Sequence, residues 1–87
     1  MKTRITLSDL KSRLFDLNES RGTPSGPYSQ TSAGTYKSNV GNYHLSRAYG
    51  GFNVHQMVND GGGIKEPAGG GHVTKRECLE RINSLFA

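Results

Sequence analysis

Two glycine triplets, Gly61-Gly62-Gly63 and Gly69-Gly70-Gly71, bracket Ile64-Lys65-Glu66-Pro67-Ala68. Glycine loses more backbone freedom on folding than any other residue, so this density disfavours a regular element here. An ordered chain keeps such a stretch where the backbone needs positive φ, or where something must approach it closely. A flexible connector is the competing account. The second triplet runs directly into a helix start, so the segment Asn59 to Glu77 is the point around which the chain is organised.

The chain has 87 residues, which suggests one small domain, residues 1–87. Its hydrophobic content of 32% and mean hydropathy of −0.64 leave a lean supply for a core. A chain this short buries only about 60–65% of its unfolded surface. It therefore needs a staple or a partner, and self-association into a homo-oligomer is one way to gain it. Cys78 is the only cysteine, so no disulfide framework exists. The three histidines lack zinc-type spacing, and no metal or other cofactor is expected. A net charge of +4 favours acidic partners, whether nucleic acid or a protein surface. No apolar run approaches the ~18 residues of a membrane span. The start MKTRITLSD is basic but has no apolar segment behind it, so it does not read as a signal peptide. A cytoplasmic location is expected.

The clearest helix signal lies near the N-terminus. Thr6 and Asp9 form a T-x-x-D capping box, flanked by Ile5 and Leu10 as a hydrophobic staple. Leu7, Leu10, Leu14 and Leu17 then recur at helical spacing, with Phe15 widening the stripe. The expected helix runs from Leu7 to Asn18. Residues 19–35, rich in Ser, Thr, Gly and Pro, read as a long loop that wraps the surface or meets a partner. Tyr28 could pin it down.

Residues 36–49 read as a β-hairpin, with Gly41-Asn42 as its two-residue turn. Tyr43, Leu45, Arg47 and Tyr49 would alternate onto one face, and His44, Ser46 and Ala48 onto the other. Gly50-Gly51 breaks the pattern. Val54, Met57 and Val58 then return to helical spacing, predicting a short helix over 52–59 with Gly61 as its left-handed cap. The final helix starts at a T-x-x-E box, Thr74 to Glu77, and should run from Lys75 nearly to Ala87. Its apolar stripe is Cys78, Leu79, Ile82, Leu85 and Phe86, and Glu77 can pair with Arg81 one turn on. The predicted class is α+β: N-terminal helix, small antiparallel β-hairpin, short helix, glycine-rich connection and C-terminal helix. Leu10, Leu14, Leu17, Leu45, Val54, Met57, Val58, Leu79, Ile82 and Leu85 are the expected core.

Two constellations could carry binding. The first is Gly69, Gly70, Gly71, His72 and Thr74, followed by Lys75 and Arg76, where free N–H groups of a helix start suit a phosphate, a nucleotide or an acidic side chain. Two cations at that end oppose the helix dipole, an unfavourable choice for the fold alone. A capped helix after a flexible loop is the structural alternative. The second is Tyr43, His44, Arg47 and Tyr49, aromatic and basic residues that can stack on bases and neutralise phosphates, or simply serve as core and rim. An enzyme is not expected. Cys78 falls on a core stripe, no acid–base pair is visible, and no carboxylate stands at a spacing that would fix a histidine dyad.

The run GNYHLSRAYGGFNVHQMVNDGGG (Gly41 to Gly63), followed by GGGHVTKRECLERINSLF (Gly69 to Phe86), resembles a family of small bacteriophage and prophage accessory proteins. The shared pattern is G-x-Y-H-L-x-x-A-Y-G-G, then V-N-x-G-G-G, then K-R-E before a terminal helix. The resemblance covers about half the chain and leaves out the first helix and the loop after it. It implies a phage origin, a cytoplasmic role in the infected bacterium, and binding to a host protein or complex. By analogy with anti-CRISPR proteins, it implies inhibition of a bacterial defence component. A small basic nucleic-acid or nucleotide binder is the alternative.

Overall fold

The computed structural model describes residues 4–86 and shows an α+β fold. In chain order it contains α1 (Leu7–Arg21), β1 (Tyr28–Gln30), β2 (Tyr36–Ser38), β3 (Tyr43–Ala48), β4 (Gly51–Met57), β5 (Ile64–Lys65) and α2 (Lys75–Ser84). The strands form two antiparallel sheets, one of order β1-β2 and one of order β3-β4-β5. Met1–Thr3, part of the stretch read for a signal peptide, and Ala87 lie outside the described residues.

α1 starts as its capping box predicts. The Thr6 hydroxyl accepts from the Asp9 backbone N–H at 3.2 Å, and the Asp9 carboxylate accepts from the Thr6 N–H at 2.8 Å. Two of the orphan donors at the helix start are thereby satisfied. The helix does not stop at Asn18. It continues to Arg21 and ends where Gly22 takes the left-handed φ of 69° and donates its N–H to the Asn18 carbonyl. The expected loop over 19–35 is thus shortened at one end and contains β1 at the other.

Gly41-Asn42 is not the hairpin turn. β2 pairs with β1, whereas the Gly41 N–H donates to the Met57 carbonyl and the Met57 N–H to the Asn42 carbonyl. These bonds extend the β3–β4 ladder, whose own turn lies at Tyr49-Gly50. The predicted short helix over 52–59 is therefore a strand. Phe52 and Val54 point with Tyr43 and Leu45 toward the helices, and Gln56 and Met57 pair with β5. Gly61 does not cap a helix. Asn59 Oδ1 instead accepts from Gly61 N and Gly63 N, both at 2.9 Å, and Gly62 takes the positive φ.

α1 and α2 pack on one face of the larger sheet. Leu10, Leu14, Leu17, Val54, Cys78 and Ile82 form the buried cluster, with Leu45, Leu79, Leu85 and Phe86 partly buried against it. Met57 is buried outside this cluster, and Val58, expected in the core, is exposed. Asn18, at the end of α1, acts as a polar plug. Its Nδ2 donates to the Tyr43 carbonyl, and its Oδ1 accepts from the Tyr43 N–H, each at 2.9 Å. Both edges of one buried amide are thus spent on locating β3 against α1.

Candidate functional site

The β3–β4 ladder decides which side chains meet. Its register pairs Leu45 with Val54 on the helix face and His44 with His55 on the opposite face. The His44 and His55 rings meet edge-on with centroids 5.8 Å apart, and His55 meets His72 at 6.1 Å. His72 arrives from the segment before α2. The Ser46 hydroxyl and His72 Nε2 lie 2.9 Å apart. Tyr49 completes the series, with its ring 6.4 Å from that of His72.

Gly51 permits this approach. A Cβ at Gly51 would stand 3.0 Å from the His72 carbonyl carbon and 3.1 Å from the Val73 oxygen. Only a residue without a side chain lets the 72–73 segment lie so close to β4. The segment is then held by reciprocal backbone bonds between Phe52 and Val73, each 2.8 Å.

Tyr49 is fully exposed at the turn and is the only non-glycine with positive φ, 54°, among the described residues. A tyrosine in that backbone region carries strain that glycine would avoid. Beside it lies a shallow cleft of about 390 Å³, lined by Tyr49, Gly50, Gly51, His72, Thr74 and Glu77. Two cations flank the same end of the sheet. The Arg47 guanidinium lies 5.9 Å and the Lys75 ammonium 5.6 Å from the centroid of the Phe52 ring.

The glycine triplet Gly69–Gly71 is turned to a different task. Arg81 Nη1 donates to the Gly71 carbonyl at 2.9 Å and the Gly69 carbonyl at 3.3 Å, while Nη2 donates to the Gly70 carbonyl at 3.2 Å. The same Nη1 reaches Asn53 Oδ1 at 2.9 Å. Glu66 Oε2 accepts from Asn53 Nδ2 and from the Gly71 N–H. The loop therefore encloses a cation with its carbonyls, and its Gly69 and Gly71 N–H groups are both spent on Glu66. Arg81 does not form the expected one-turn pair with Glu77, whose carboxylate accepts from the Thr74 hydroxyl.

The residues singled out in the sequence thus divide. His44, Tyr49 and His72 share one series of rings, Thr74 lines the cleft beside it, and Arg47 and Lys75 lie over Phe52 on the helix-facing side. Arg76 is exposed on the first turn of α2. Tyr43 packs against the core on the other face. Gly69, Gly70 and Gly71 face Arg81. Ser46, Asn53, His55, Glu66 and Arg81 were not anticipated. His55 would have been found had residues 52–59 been read as a strand, because the ladder then sets it opposite His44.

Burial holds the His44 imidazole below its ordinary value, and neighbouring His55 lowers it further. Burial pushes the Cys78 thiol up, against a smaller opposing influence of Arg81, which suits an inert core residue. No group of His, Cys, Asp or Glu among the described residues could hold a metal ion. No helix among them is long and apolar enough to cross a membrane. The chain matches no family model, no curated protein and no solved structure.

Proposed function

We propose that this chain is a non-enzymatic binding protein that uses the β3–β4 tip to hold an acidic surface of a host protein. The observation that carries this reading is Tyr49, a fully exposed aromatic kept in a strained backbone conformation beside His72. Strain of this kind is retained where the surroundings over-determine it, and such positions cluster at functional sites. Tyrosine and arginine are also the residue types enriched at the centres of protein interfaces. The partner's setting follows from the sequence resemblance: a host factor in a phage-infected bacterium, with a defence component as the leading class.

The test pairs binding with protection. The protein is used to capture partners from host lysate beside Tyr49→Ala and the double variant Lys75→Glu/Arg76→Glu. Each is then expressed in bacteria challenged with phage under active defence systems. The expected result is a retained partner and protection with the wild type, both lost in the variants while the fold persists. A wild type that retains no partner and protects against no defence system overturns the reading.

A nucleic-acid partner is the second reading, favoured by the grouping of Tyr49, Arg47, Lys75 and His72 at one end of the sheet. Binding through several phosphates weakens steeply with salt. Titrations with single strands, duplexes and nucleotides at low salt that show no binding reject it.

A further inference from the structure

We infer that the open edge of β3 is a strand-addition site, which takes an extended acidic segment of a protein partner. The site lies beside the Tyr49 tip and does not depend on the reading given to it. Leu45 and Arg47 supply its backbone donors and acceptors.

The Met57 N–H donates to the Asn42 carbonyl, one step before Tyr43 pairs with Gln56. An antiparallel ladder alternates, so His44, Ser46 and Ala48 turn their backbone groups to β4. Tyr43, Leu45 and Arg47 turn theirs outward. Asn18 closes the Tyr43 position through both its N–H and its carbonyl. Among the described residues nothing closes the Leu45 or Arg47 position, because the sheet order β3-β4-β5 leaves β3 at the edge. The outward groups of β4 are engaged by contrast. Phe52 exchanges bonds with Val73, the Val54 N–H donates to Asn53 Oδ1, and Gln56 pairs with Lys65.

An exposed edge invites pairing, and shortness is a common protection. β1, β2 and β5 are two or three residues long, whereas β3 has six. Beside the β3 edge lies a groove of about 290 Å³ between α1 and β3. Lys11, Leu14, Phe15 and Asn18 line it from α1, and Tyr43 and Leu45 from β3. The Phe15 ring is exposed there and offers an apolar wall to an incoming side chain.

Charge selects the occupant. Neither Lys11 nor Arg47 forms an ion pair among the described residues. The sequence has no Asp or Glu between Glu19 and Asp60, so β3 brings no acid of its own. A second copy would bring another Lys11 and Arg47 to this seam, and like charges across strands repel. Arg47 thus turns away a basic or self-paired strand and attracts an acidic one. In the fitting segment an apolar residue lies opposite Leu45, against Leu14 and Phe15. An acid two residues away then meets Arg47 on the same face, because strand side chains alternate. A further carboxylate suits Lys11 on the groove wall.

The test is titration of the full-length protein with a fluorescein-labelled peptide, Thr-Glu-Thr-Val-Thr-Glu-Thr, read by anisotropy and amide hydrogen exchange. Without peptide, the Leu45 and Arg47 amides should exchange fast and those of His44 and Ser46 slowly. Peptide at about ten times its Kd should slow Leu45 and Arg47 about tenfold, since only the unbound fraction exchanges. Methylating the valine nitrogen, which faces β3, should abolish binding. Methylating a neighbouring threonine nitrogen, which faces away, should not. Arg47→Glu should weaken binding about tenfold, a swing from attraction to repulsion. Lys65→Glu, the same charge change on β5, should alter it little. Equal loss in Lys65→Glu, or binding that survives valine methylation, overturns the inference in favour of diffuse charge attraction. No binding of the peptide at low salt also overturns it, while partner capture through Tyr49 would still stand. Slow Leu45 and Arg47 exchange without peptide, with a dimer mass in light scattering, assigns the edge to a second copy and overturns the acidic segment.

Discussion

Arg81 donates to the Gly71 carbonyl at 2.9 Å and so ties the middle of α2 to the loop that leads into it. The same guanidinium reaches Gly69, Gly70 and Asn53. A planar fork with fixed donors suits this set, and a lysine ammonium cannot reproduce it. Arg81→Met should lower stability by about 2 kcal/mol, the scale of a lost charge-assisted hydrogen bond. Arg81→Lys should recover less than half of that. Urea unfolding midpoints check both, and a neutral Arg81→Met would show that the loop needs no cation at its centre.

Asn18 offers a sharper test of the α1–β3 junction. Its amide satisfies both backbone groups of Tyr43 and also accepts from the Thr23 hydroxyl at 2.8 Å. Asn18→Leu keeps the volume and leaves buried backbone groups unpaired. It should cost about 2–3 kcal/mol, more than a typical surface change. Thermal unfolding reads this directly.

Much of the fold is legible in the residues alone, and the reasons are local. Thr6 with Asp9, and Thr74 with Glu77, place the two helix starts because the threonine hydroxyl accepts the N–H three residues on, with no help from the rest of the chain; only Asp9 also returns a carboxylate to its cap N–H. Leu10, Leu14 and Leu17 likewise identify their own buried face. Residues 52–59 mislead because Val54 and Met57 fit a helical period, yet they are buried on different sides of a strand. The role of Gly69–Gly71 was equally hidden, since its carbonyls are explained only by a guanidinium ten to twelve residues further on. Buried Asn42 and Asn53 leave no periodic trace at all. Their places are set by backbone groups and side chains more than ten residues away.

Tyr49 should show a trade between stability and binding. Tyr49→Gly relieves the positive φ and is expected to raise stability by up to about 1 kcal/mol. The same change removes the exposed ring and should abolish partner capture. A Tyr49→Gly protein that is no more stable, yet binds normally, would remove the argument from strain.

Gly51→Ala addresses the packing beneath the site. The added Cβ meets backbone rather than a yielding side-chain tip, so the 72–73 segment must shift. A loss of about 1–3 kcal/mol is expected, the cost of overpacking. The His72 imidazole resonances should move with it. Unchanged His72 signals in NMR spectra would mean that the segment yields elsewhere.

Acid should weaken the free protein. His44 has a folded-state value below its ordinary 6.5, so the unfolded chain binds more protons as the pH falls. The neutral ring's contribution is fully present above pH 6.5 and is lost as the pH drops through 6.5 toward the lower folded value. Thermal midpoints should therefore fall between pH 7.5 and 5.5, and His44→Gln should flatten that slope. A slope unchanged in His44→Gln would assign the acid sensitivity to other groups.

The contact between the two helices bears on how the chain is made. Leu10, Leu14 and Leu17 are covered in part by Cys78 and Ile82, and Arg13 Nε donates to Asn83 Oδ1 at 2.7 Å across 70 residues of sequence. During synthesis α1 emerges with an apolar stripe whose cover does not yet exist. The β3–β4 ladder can zip as soon as it leaves the ribosome, but closure of the core waits for α2. Until α2 is available, the apolar stripe of α1 lacks part of its cover. A ribosome stalled before residue 78 should hold a protease-sensitive, chaperone-bound product, whereas the released chain should fold in a single late step.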